Sequence, residues 1–369
     1  MRLRVTCQEG FEDCCAREAG FLGGRAVDKG SGHVIVDGPF RLTYTLNRYG
    51  RTVERVMMEL ASAPLAEHGV MDSLISTCDL ELLGPASGVT LDCDEFVKRI
   101  RPRWMTQLST LLTRAFRTTS DVKTTDKRPE ASLFLGVHGE TASLYADTTG
   151  EPLNYREYRR YNHPSSIRPT LAASLVIMSD AKEGTLYDPF CGGGTILIEA
   201  ALMSARRPTH TRRTYLYRNF LDFDPSEEER AVPPPNTLPK FNSFVGTDIN
   251  SVHIRGCAKN VSAAGLSKVE LRLEDCTRAV IQPRADAIVT NPPYGVRGSK
   301  ANRMEELYQR FLANLPNLLK GGGRAVVVTS EGGSLKAMLA RRKIVPTATA
   351  KTRHSHLWVE AVSFRLPPT

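Results

Sequence analysis

The second half of the chain alternates short apolar runs with segments of helical periodicity. The predicted strands cover 184–190, a stretch that ends at Asp248, 269–273, 285–290 and, as the most apolar of them, 324–329. The helical segments lie at 166–178, 196–203, 254–264 and 303–319. Strands and helices that alternate in this way predict an α/β domain with a mostly parallel sheet and right-handed crossovers. The tail, at 343–350 and 357–366, predicts a terminal hairpin.

The first 150 residues have a different pattern. Strand-like pieces at 32–36 and 141–145 alternate with helical segments at 39–49 and 94–100, without a glycine-rich turn among them. We therefore predict a separate α+β region. A basic, aromatic linker at 151–166 follows it. The α/β domain at 167–369 carries an insertion at 206–240, which we expect to be mostly surface loop with one amphipathic piece.

Composition and charge narrow the class of protein. With 369 residues, 41% of them hydrophobic, the chain is long enough for two or three domains. A formal net charge of +9 favours a polyanionic partner. No run approaches the ~20 apolar residues of a membrane helix, and the first ten residues lack an apolar signal core, so we expect a soluble cytoplasmic protein with no membrane partner. The eight cysteines lack C-x-x-C spacing, so we expect reduced thiols and no metal site.

The turn from Asp188 to Thr195 joins the first strand of the α/β domain to a helix, with the sequence Asp-Pro-Phe-Cys-Gly-Gly-Gly-Thr. Glycines let a ligand lie against the backbone, and the free N–H groups of a helix N-terminus suit a carboxylate or a phosphate. The spacing differs from the G-x-G-x-x-G of dinucleotide-binding proteins. A tight turn with a purely structural role is the competing interpretation.

Acidic residues end the next two strands. Asp248 ends the second strand and can accept both hydroxyls of a ribose, and Asp275 follows the third and can accept from an adenine amine. Either acid alone is more often a loop residue or a helix cap. With the glycine turn, at successive strand ends, they describe an adenosine that has a carboxylate-bearing tail. S-adenosylmethionine fits this description.

The fourth strand ends in Asn291-Pro292-Pro293-Tyr294. The prolines stiffen the turn and hold the side-chain carbonyl of Asn291 near the backbone carbonyl of Pro292. Two adjacent acceptors match the two hydrogens of an exocyclic base amine, and the ring of Tyr294 offers a face on which an extruded base can stack. The competing interpretation is a structural proline turn with an Asn cap.

These motifs resemble those of a known class of enzymes. The turn 188–195 together with 291–295 resembles the amino methyltransferases of the Rossmann-like class, and the segment 158–172 is similar to the linker of THUMP-domain RNA guanine-N2 methyltransferases. The resemblance covers roughly residues 90–366 and is weaker before them. It implies a ferredoxin-like module at 1–65, a THUMP RNA-binding domain at 66–150, and a Rossmann-like class I methyltransferase domain at 167–369. That domain would have a mostly parallel seven-stranded sheet and a C-terminal antiparallel hairpin.

The resemblance also implies roles for single residues. Those that would shape the methionine end of the cofactor site are Asp188, Phe190, Gly192, Gly194 and Thr195. Those that would hold the ribose and meet the adenine are Asp248, Ile249, Asp275 and Cys276. Those that would form the catalytic base-amine site are Asn291, Pro292 and Tyr294.

The implied substrate is tRNA, methylated on the N2 amine of a guanosine. Within the family, Asp at the place of Asn291 accompanies position 10 of tRNA and Asn accompanies position 6, so we expect position 6. Basic residues of the THUMP region and linker would follow the phosphate backbone, with a solvated helix face as the alternative: Lys98, Arg99, Arg101, Arg103, Arg114, Arg117, Arg156, Arg159 and Arg160. We expect a monomer, and a small methyltransferase activator subunit is a candidate partner.

Several alternatives stay open. An adenine-N6 methyltransferase of DNA or RNA can use the same Asn-Pro-Pro-Tyr chemistry. A guanine-N2 methyltransferase that acts on rRNA is another alternative. A protein glutamine methyltransferase would have no use for the basic linker. An inactive RNA-binding relative is disfavoured by the intact Gly192, Asp248 and Asn291. We expect no catalytic role for His163 or His354, because the amine becomes acidic as it is alkylated and needs no strong base.

Overall fold

The structure, a computed structural model, describes residues 1–66, 68–84, 89–115, 130–234, 239–294, 299–354 and 356–368. Two sheets of seven strands form its framework, one in each half of the chain. Among the helices of these residues, we find none whose length and apolar character would let it cross a membrane.

The N-terminal half interleaves strands with helices. Its strands are β1 (Arg2–Cys7), β2 (Arg25–Gly30), β3 (His33–Asp37), β4 (Val53–Pro64), β5 (Val89–Cys93), β6 (Ala131–His138) and β7 (Thr141–Asp147). Its helices are α1 (Glu12–Phe21), α2 (Arg41–Tyr49), α3 (Val70–Thr77), α4 (Glu95–Ile100) and α5 (Pro102–Ala115). Residues 81–83 form a short 3₁₀ turn.

One continuous sheet runs through this half, in the order β2-β3-β1-β4-β7-β6-β5. The long strand β4 joins the two predicted modules, because it pairs with β1 (Leu3 opposite Met58) and with β7 (Met57 opposite Asp147). A single apolar cluster packs against strands of both predicted modules, from β1 and β3 to β5 and β6. The predicted boundary between 65 and 66 therefore falls at the end of a strand that both modules share, and the two are not separate in space.

The C-terminal half has the predicted α/β pattern. Its strands are β8 (Glu183–Asp188), β9 (Lys240–Asp248), β10 (Val269–Leu273), β11 (Ala285–Thr290), β12 (Leu319–Thr329), β13 (Pro346–His354) and β14 (Leu357–Arg365). Its helices are α6 (Pro169–Met178), α7 (Thr195–Ser204), α8 (Pro225–Arg230), α9 (Ser251–Ala263), α10 (Ser299–Leu318) and α11 (Gly332–Arg341). Residues 216–219 form a 3₁₀ turn.

The order of this second sheet is β10-β9-β8-β11-β12-β14-β13. Its first five strands are parallel, and β14 is antiparallel to both of its neighbours. Successive residues of one strand pack into different apolar clusters on the two faces of the sheet. Ala287 of β11 belongs to one cluster and Ile288 to the other. Burial on both faces explains the apolar character of the central strands β11 and β12. The predicted seven-stranded, Rossmann-like architecture with its terminal hairpin is confirmed.

Most of the insertion at 206–240 is exposed loop with one short helix, α8, and it also carries a buried anchor that its sequence did not reveal. Its aromatic residues Tyr215, Tyr217 and Phe220 are buried in the apolar cluster of the N-terminal sheet. Backbone hydrogen bonds fix it there, from the Thr209 N–H to the Arg48 carbonyl at 2.7 Å and from the Tyr217 N–H to the Thr148 carbonyl at 3.0 Å. The insertion thus leaves the C-terminal half of the chain and docks onto the N-terminal half.

A buried ionic cluster joins the same two halves. Glu199 of α7 is fully buried and accepts from the Arg51 guanidinium (Nη1) and from Arg156 Nε, both at 3.0 Å. The Tyr158 hydroxyl donates to it at 2.8 Å. The two arginines hold the pKa of Glu199 below its usual value, against the opposing effect of burial. Because α7 begins at the glycine turn, this cluster also fixes the position of that turn.

Candidate active site

The carboxyl ends of β8, β9 and β11 lie side by side and form the candidate site. The turn after β8 passes through Gly192 and Gly194, whose φ angles of +50° and +79° lie in the left-handed region that glycine adopts without strain. A Cβ on Gly194 would also collide with Sγ of Cys257 on α9. Glycine at 194 is therefore required by both conformation and packing, and α7 starts directly after it.

Asp188 lies at the bottom of this site and is 2% exposed. Its Oδ1 accepts from the Thr290 hydroxyl at 2.7 Å and from the Phe190 N–H at 3.2 Å. Burial raises the pKa of Asp188 to about 7, and the nearby charge of Asp248 adds to this rise while the two hydrogen bonds oppose it. A carboxylate held in this way is prepared to interact with a cation that enters the site.

Asp248 ends β9 and faces the glycine turn. Its two carboxylate oxygens accept from the Gly192 N–H at 3.2 Å and from the Asn250 N–H at 2.8 Å. Each oxygen keeps a further lone pair, so the group can still accept from a ligand. The adjacent side chain of Ile249 is 77% exposed, an apolar surface beside the carboxylate.

Asp275 and Cys276 follow β10. The Asp275 side chain is exposed and accepts from the Thr277 N–H at 2.9 Å, which is also what a simple turn residue would do. The Cys276 thiol is 2% exposed and packs in the apolar cluster on the α10 side of the sheet. Only the backbone of Cys276, and not its buried side chain, can meet a ligand in the cleft.

Asn291 and Tyr294 contact one another at the end of β11. The Tyr294 hydroxyl donates to the Asn291 side-chain carbonyl, and the Asn291 amide lies 3.4 Å from the Ser165 carbonyl, to which it donates. Both ends of the amide are therefore held by the protein. The Tyr294 ring is half-buried, and burial raises the pKa of its hydroxyl well above the usual value. Gly295, which ends the motif, lies outside the described residues.

The linker forms a strap across the glycine turn, which the sequence analysis did not foresee. Asn260 of α9 accepts from the backbone N–H groups of Arg160 and Tyr161, both at 2.8 Å, and donates to the Gly193 carbonyl at 2.8 Å. The His163 ring packs 3.4 Å from the position that a Cβ on Gly192 would take. A buried Asn within an otherwise apolar helix face was the signal in the sequence that could have revealed this contact.

The predicted RNA-binding residues divide into three groups. Arg99, Arg101, Arg103 and Arg160 are exposed, as RNA contact requires. Arg159 is half-buried and donates to the Ile167 carbonyl. Arg156 is buried against Glu199, so a role in binding phosphate is wrong for this residue. Its charge is needed inside the protein, to neutralise a carboxylate. Arg117 lies outside the described residues.

The cleft suits the cofactor that the motifs describe. Asp188 offers a buried carboxylate to a cation, Asp248 offers unused lone pairs to hydroxyl groups, and the exposed side chain of Ile249 offers an apolar surface. A ligand with a positive charge, a hydroxylated sugar and a flat apolar ring would satisfy all three. S-adenosylmethionine has these properties.

Two family models match the chain. Residues 156–360 match the RMKL-like methyltransferase domain, which is more than half of the chain. Residues 2–57 match the RlmL ferredoxin-like domain.

Curated relatives carry two kinds of name. The chain is 34% identical over 205 residues to a tRNA (guanine(6)-N2)-methyltransferase of Methanocaldococcus jannaschii, a match that covers 53% of each chain. It is 26% identical over 357 residues to the protein of the same name from Archaeoglobus fulgidus, covering 90% of this chain and 83% of that one. It is 27% identical over 345 residues to the ribosomal RNA large subunit methyltransferase K/L of Syntrophotalea carbinolica, covering 87% and 48%. The chain thus spans about half the length of the first and third relatives.

Solved structures share the whole fold. The crystal structure of a possible methylase from Clostridium difficile 630 superimposes with a TM-score of 0.77 at 22% identity, over 100% of this chain and 98% of that one. The crystal structure of TrmN from Thermus thermophilus gives a TM-score of 0.72 at 21% identity, over 99% of each. Both halves of the molecule, and their arrangement, therefore recur in these proteins.

Proposed function

Since this chain belongs to the family of RMKL-like methyltransferase domains, we propose that it transfers the methyl group of S-adenosylmethionine to the N2 amine of a guanosine in tRNA. The observation that carries the proposal is the hydrogen bond of 2.7 Å between the Thr290 hydroxyl and Asp188. It ties the strand that ends in the glycine turn to the residue directly before Asn291. The proposed sites for the methyl donor and for the amine would therefore be neighbours, because β8 and β11 are adjacent strands.

The residues of the glycine turn and of β9 would hold the cofactor. Asp188 and the N-terminus of α7 bind its charged methionine end, and Asp248 binds its ribose. The bound cofactor supplies an electrophilic methyl group. Ile249, whose side chain is exposed in the structure, would cover the adenine ring and lose its exposure to water.

Asn291 and Pro292 would orient the amine. Their carbonyl oxygens accept its two N–H groups, which directs the nitrogen lone pair towards the cleft. The Tyr294 hydroxyl already uses one lone pair of the Asn291 carbonyl and leaves the second for the substrate. As the nitrogen gains positive charge during alkylation, both N–H groups become stronger donors, so these contacts favour the transition state. The amine then releases a proton to water, without a protein base.

Two observations support position 6 of tRNA as the target. Asn at 291 matches the residue that the sequence analysis associates with this position. The relatives from Methanocaldococcus jannaschii and Archaeoglobus fulgidus also carry this activity in their names. The second candidate is a guanosine of ribosomal RNA, favoured by the match of residues 2–57 to the RlmL ferredoxin-like domain and by the name of the Syntrophotalea carbinolica relative.

Parallel incubations test the proposal directly. The purified chain is incubated with cofactor labelled in its methyl group and, separately, with unmodified tRNA, ribosomal RNA and DNA. Nucleoside analysis of the labelled product identifies the base. We expect N2-methylguanosine in tRNA, lost when a tRNA with adenosine at position 6 is used. Labelled N6-methyladenine in any substrate, or label in ribosomal RNA alone, would contradict the proposal.

A further inference from the structure

A cavity of about 700 Å³ lies away from the candidate active site, where three parts of the chain meet. The N-terminal sheet provides one wall through Arg55, Ser132 and Asp147, the linker provides Tyr155, and the insertion provides Arg212. The glycine turn and the Asn291 turn do not line it. Because the insertion docks here, the cavity is a feature of how the two halves of the chain are joined.

Tyr155 stands at this cavity with a fixed backbone and an uncovered ring. Its carbonyl accepts from the buried His210 ring at 2.5 Å, which anchors the residue. Its side chain is nevertheless 77% exposed, the same fraction as Ile249 in the cofactor site. A large aromatic ring that is held in place and left in water provides a surface for stacking.

The arginines of the cavity have different roles. The Arg55 guanidinium donates to the Asp147 carboxylate and to the Gly150 carbonyl, so its charge is neutralised within the wall. Arg213 is held in the same way by the Glu151 and Pro152 carbonyls, at 2.8 and 3.0 Å. Arg212 is exposed, and among the described residues its guanidinium has no ion pair or hydrogen bond. It is the cation of this cavity that is available to a ligand.

The face of the N-terminal sheet that lines the cavity carries a further cation. Arg4 of β1 is 6% exposed and stacks over the rings of Phe134 and Tyr145, at 5.4 and 5.8 Å from their centroids. Its Nε and Nη1 have no hydrogen-bond partner in the described part of the chain. Arg4 pairs with Met57 of β4, and Met57 lies two residues after Arg55 on the same strand. Residues two apart on a strand point to the same face, so Arg4 and Arg55 share one face of the sheet. This face of the sheet therefore carries a second arginine, outside the cavity.

We infer that this cavity binds an unpaired nucleotide of the substrate RNA, at a distance from the base that is methylated, and this inference rests on the proposed function. Unstacked bases bind to aromatic rings beside cations that meet the phosphate, whereas the bases of a duplex are already stacked on each other. The linker reaches from Tyr155 to His163 at the glycine turn in eight residues, at most about 29 Å. One RNA molecule can therefore occupy both sites.

Binding of RNA, measured apart from methyl transfer, tests the inference on the full chain. The probes are unmodified tRNA and a five-nucleotide single-stranded RNA, followed by fluorescence anisotropy. We expect Tyr155→Ala to weaken binding of both about tenfold, within the range for loss of one stacked base. Tyr155→Phe keeps the ring and should bind like the wild type. Arg212→Ala should weaken binding and lower the slope of log K against log salt by about one.

Arg310→Ala is the matched control, because Arg310 is an exposed arginine of α10 far along the chain that pairs only with Glu306 among the described residues. It should bind RNA like the wild type, and all variants should keep wild-type cofactor affinity and a wild-type rate at saturating RNA. Wild-type RNA affinity in Tyr155→Ala, equal losses in the Ala and Phe variants, or equally tight binding of a duplex would overturn the inference. A wild type that methylates no RNA would instead overturn the proposed function.

Discussion

The charge of Asp188 should depend on the cofactor, and the effect can be sized from the structure. The carboxyl is 2% exposed, and burial raises its pKa to about 7. An ordinary aspartate has a pKa near 3.9, so the ionised form is disfavoured by about 4 kcal/mol in the cofactor-free site. A cation placed beside the carboxylate recovers part of this cost. Cofactor binding should therefore favour the ionised form and release a proton wherever Asp188 is protonated beforehand.

The direction of the pH dependence follows from the sign of this pKa shift. In the cofactor-free protein a raised pKa stabilises the fold below about pH 4, and this contribution is lost as the pH rises to about 7. Cofactor affinity changes in the opposite direction, since the binding-competent carboxylate disappears as the pH falls. With a pKa of about 7, the ionised fraction drops about 25-fold between pH 7.5 and 5.5, and the dissociation constant of S-adenosylmethionine should rise by about the same factor.

Isothermal titration calorimetry in buffers with different ionisation enthalpies measures both the affinity and the protons released. The Asp188→Asn variant is the control, because it keeps a side-chain acceptor for Thr290 while removing the titration. Its affinity should be weaker than that of the wild type and nearly independent of pH, and any remaining pH dependence belongs to the cofactor's own amine. Equal wild-type affinities at pH 5.5 and 7.5, without proton release, would refute this reasoning.

Three further substitutions test the site and its support. Asp248→Ala should weaken S-adenosylmethionine binding at least tenfold, through loss of charge-assisted bonds worth ~1.5–3 kcal/mol each, while circular dichroism shows an intact fold; an unchanged dissociation constant would contradict the ribose role. Asn291→Ala should slow single-turnover methyl transfer on the order of 100–1000-fold with RNA and cofactor affinities retained, and Asn291→Asp should keep substantial activity; a wild-type rate in the Ala variant would reduce the motif to a structural turn. Arg51→Met should lower the free energy of unfolding by about 3–5 kcal/mol in urea melts, because Glu199 loses one of its two buried arginine partners; a loss below 1 kcal/mol would show that Arg156 and the Tyr158 hydroxyl suffice.

The sheet that carries the site could be predicted from the sequence because its central strands β8, β11 and β12 are largely buried on both faces. The predicted strands at 269–273 and 285–290 have the bounds of β10 and β11, and the polar residues that follow them mark the edge where ligands bind. For these strands the local sequence pattern matches the position that each strand takes in the folded sheet, so the sequence was enough to predict them.

The N-terminal half was predicted in pieces but not as one sheet. β4 pairs with residues about 50 positions earlier through β1 and about 90 positions later through β7. Such pairing leaves no trace in the local alternation of a strand, which tells which residues point inwards but not which strand lies alongside. The predicted boundary after residue 65 therefore followed the change of pattern and missed the shared strand.

Errors at single residues have a similar origin. Arg156 looked like part of a basic stripe, and it is the partner of Glu199, 43 residues away. The roles of Thr290 and Asn260 also depend on distant partners, Asp188 and the linker backbone. A polar side chain gives the same local signal whether it faces water or a buried partner, so only the folded chain separates the two cases.

The docked insertion limits how this protein can be recombined. A gene that took only the catalytic half from one relative and the first 150 residues from another would place Tyr215, Tyr217 and Phe220 against a surface that did not evolve to receive them. Those rings would face solvent, and the chimera would tend to aggregate. Grafting experiments should therefore exchange the insertion together with the N-terminal sheet, because the two share one apolar core.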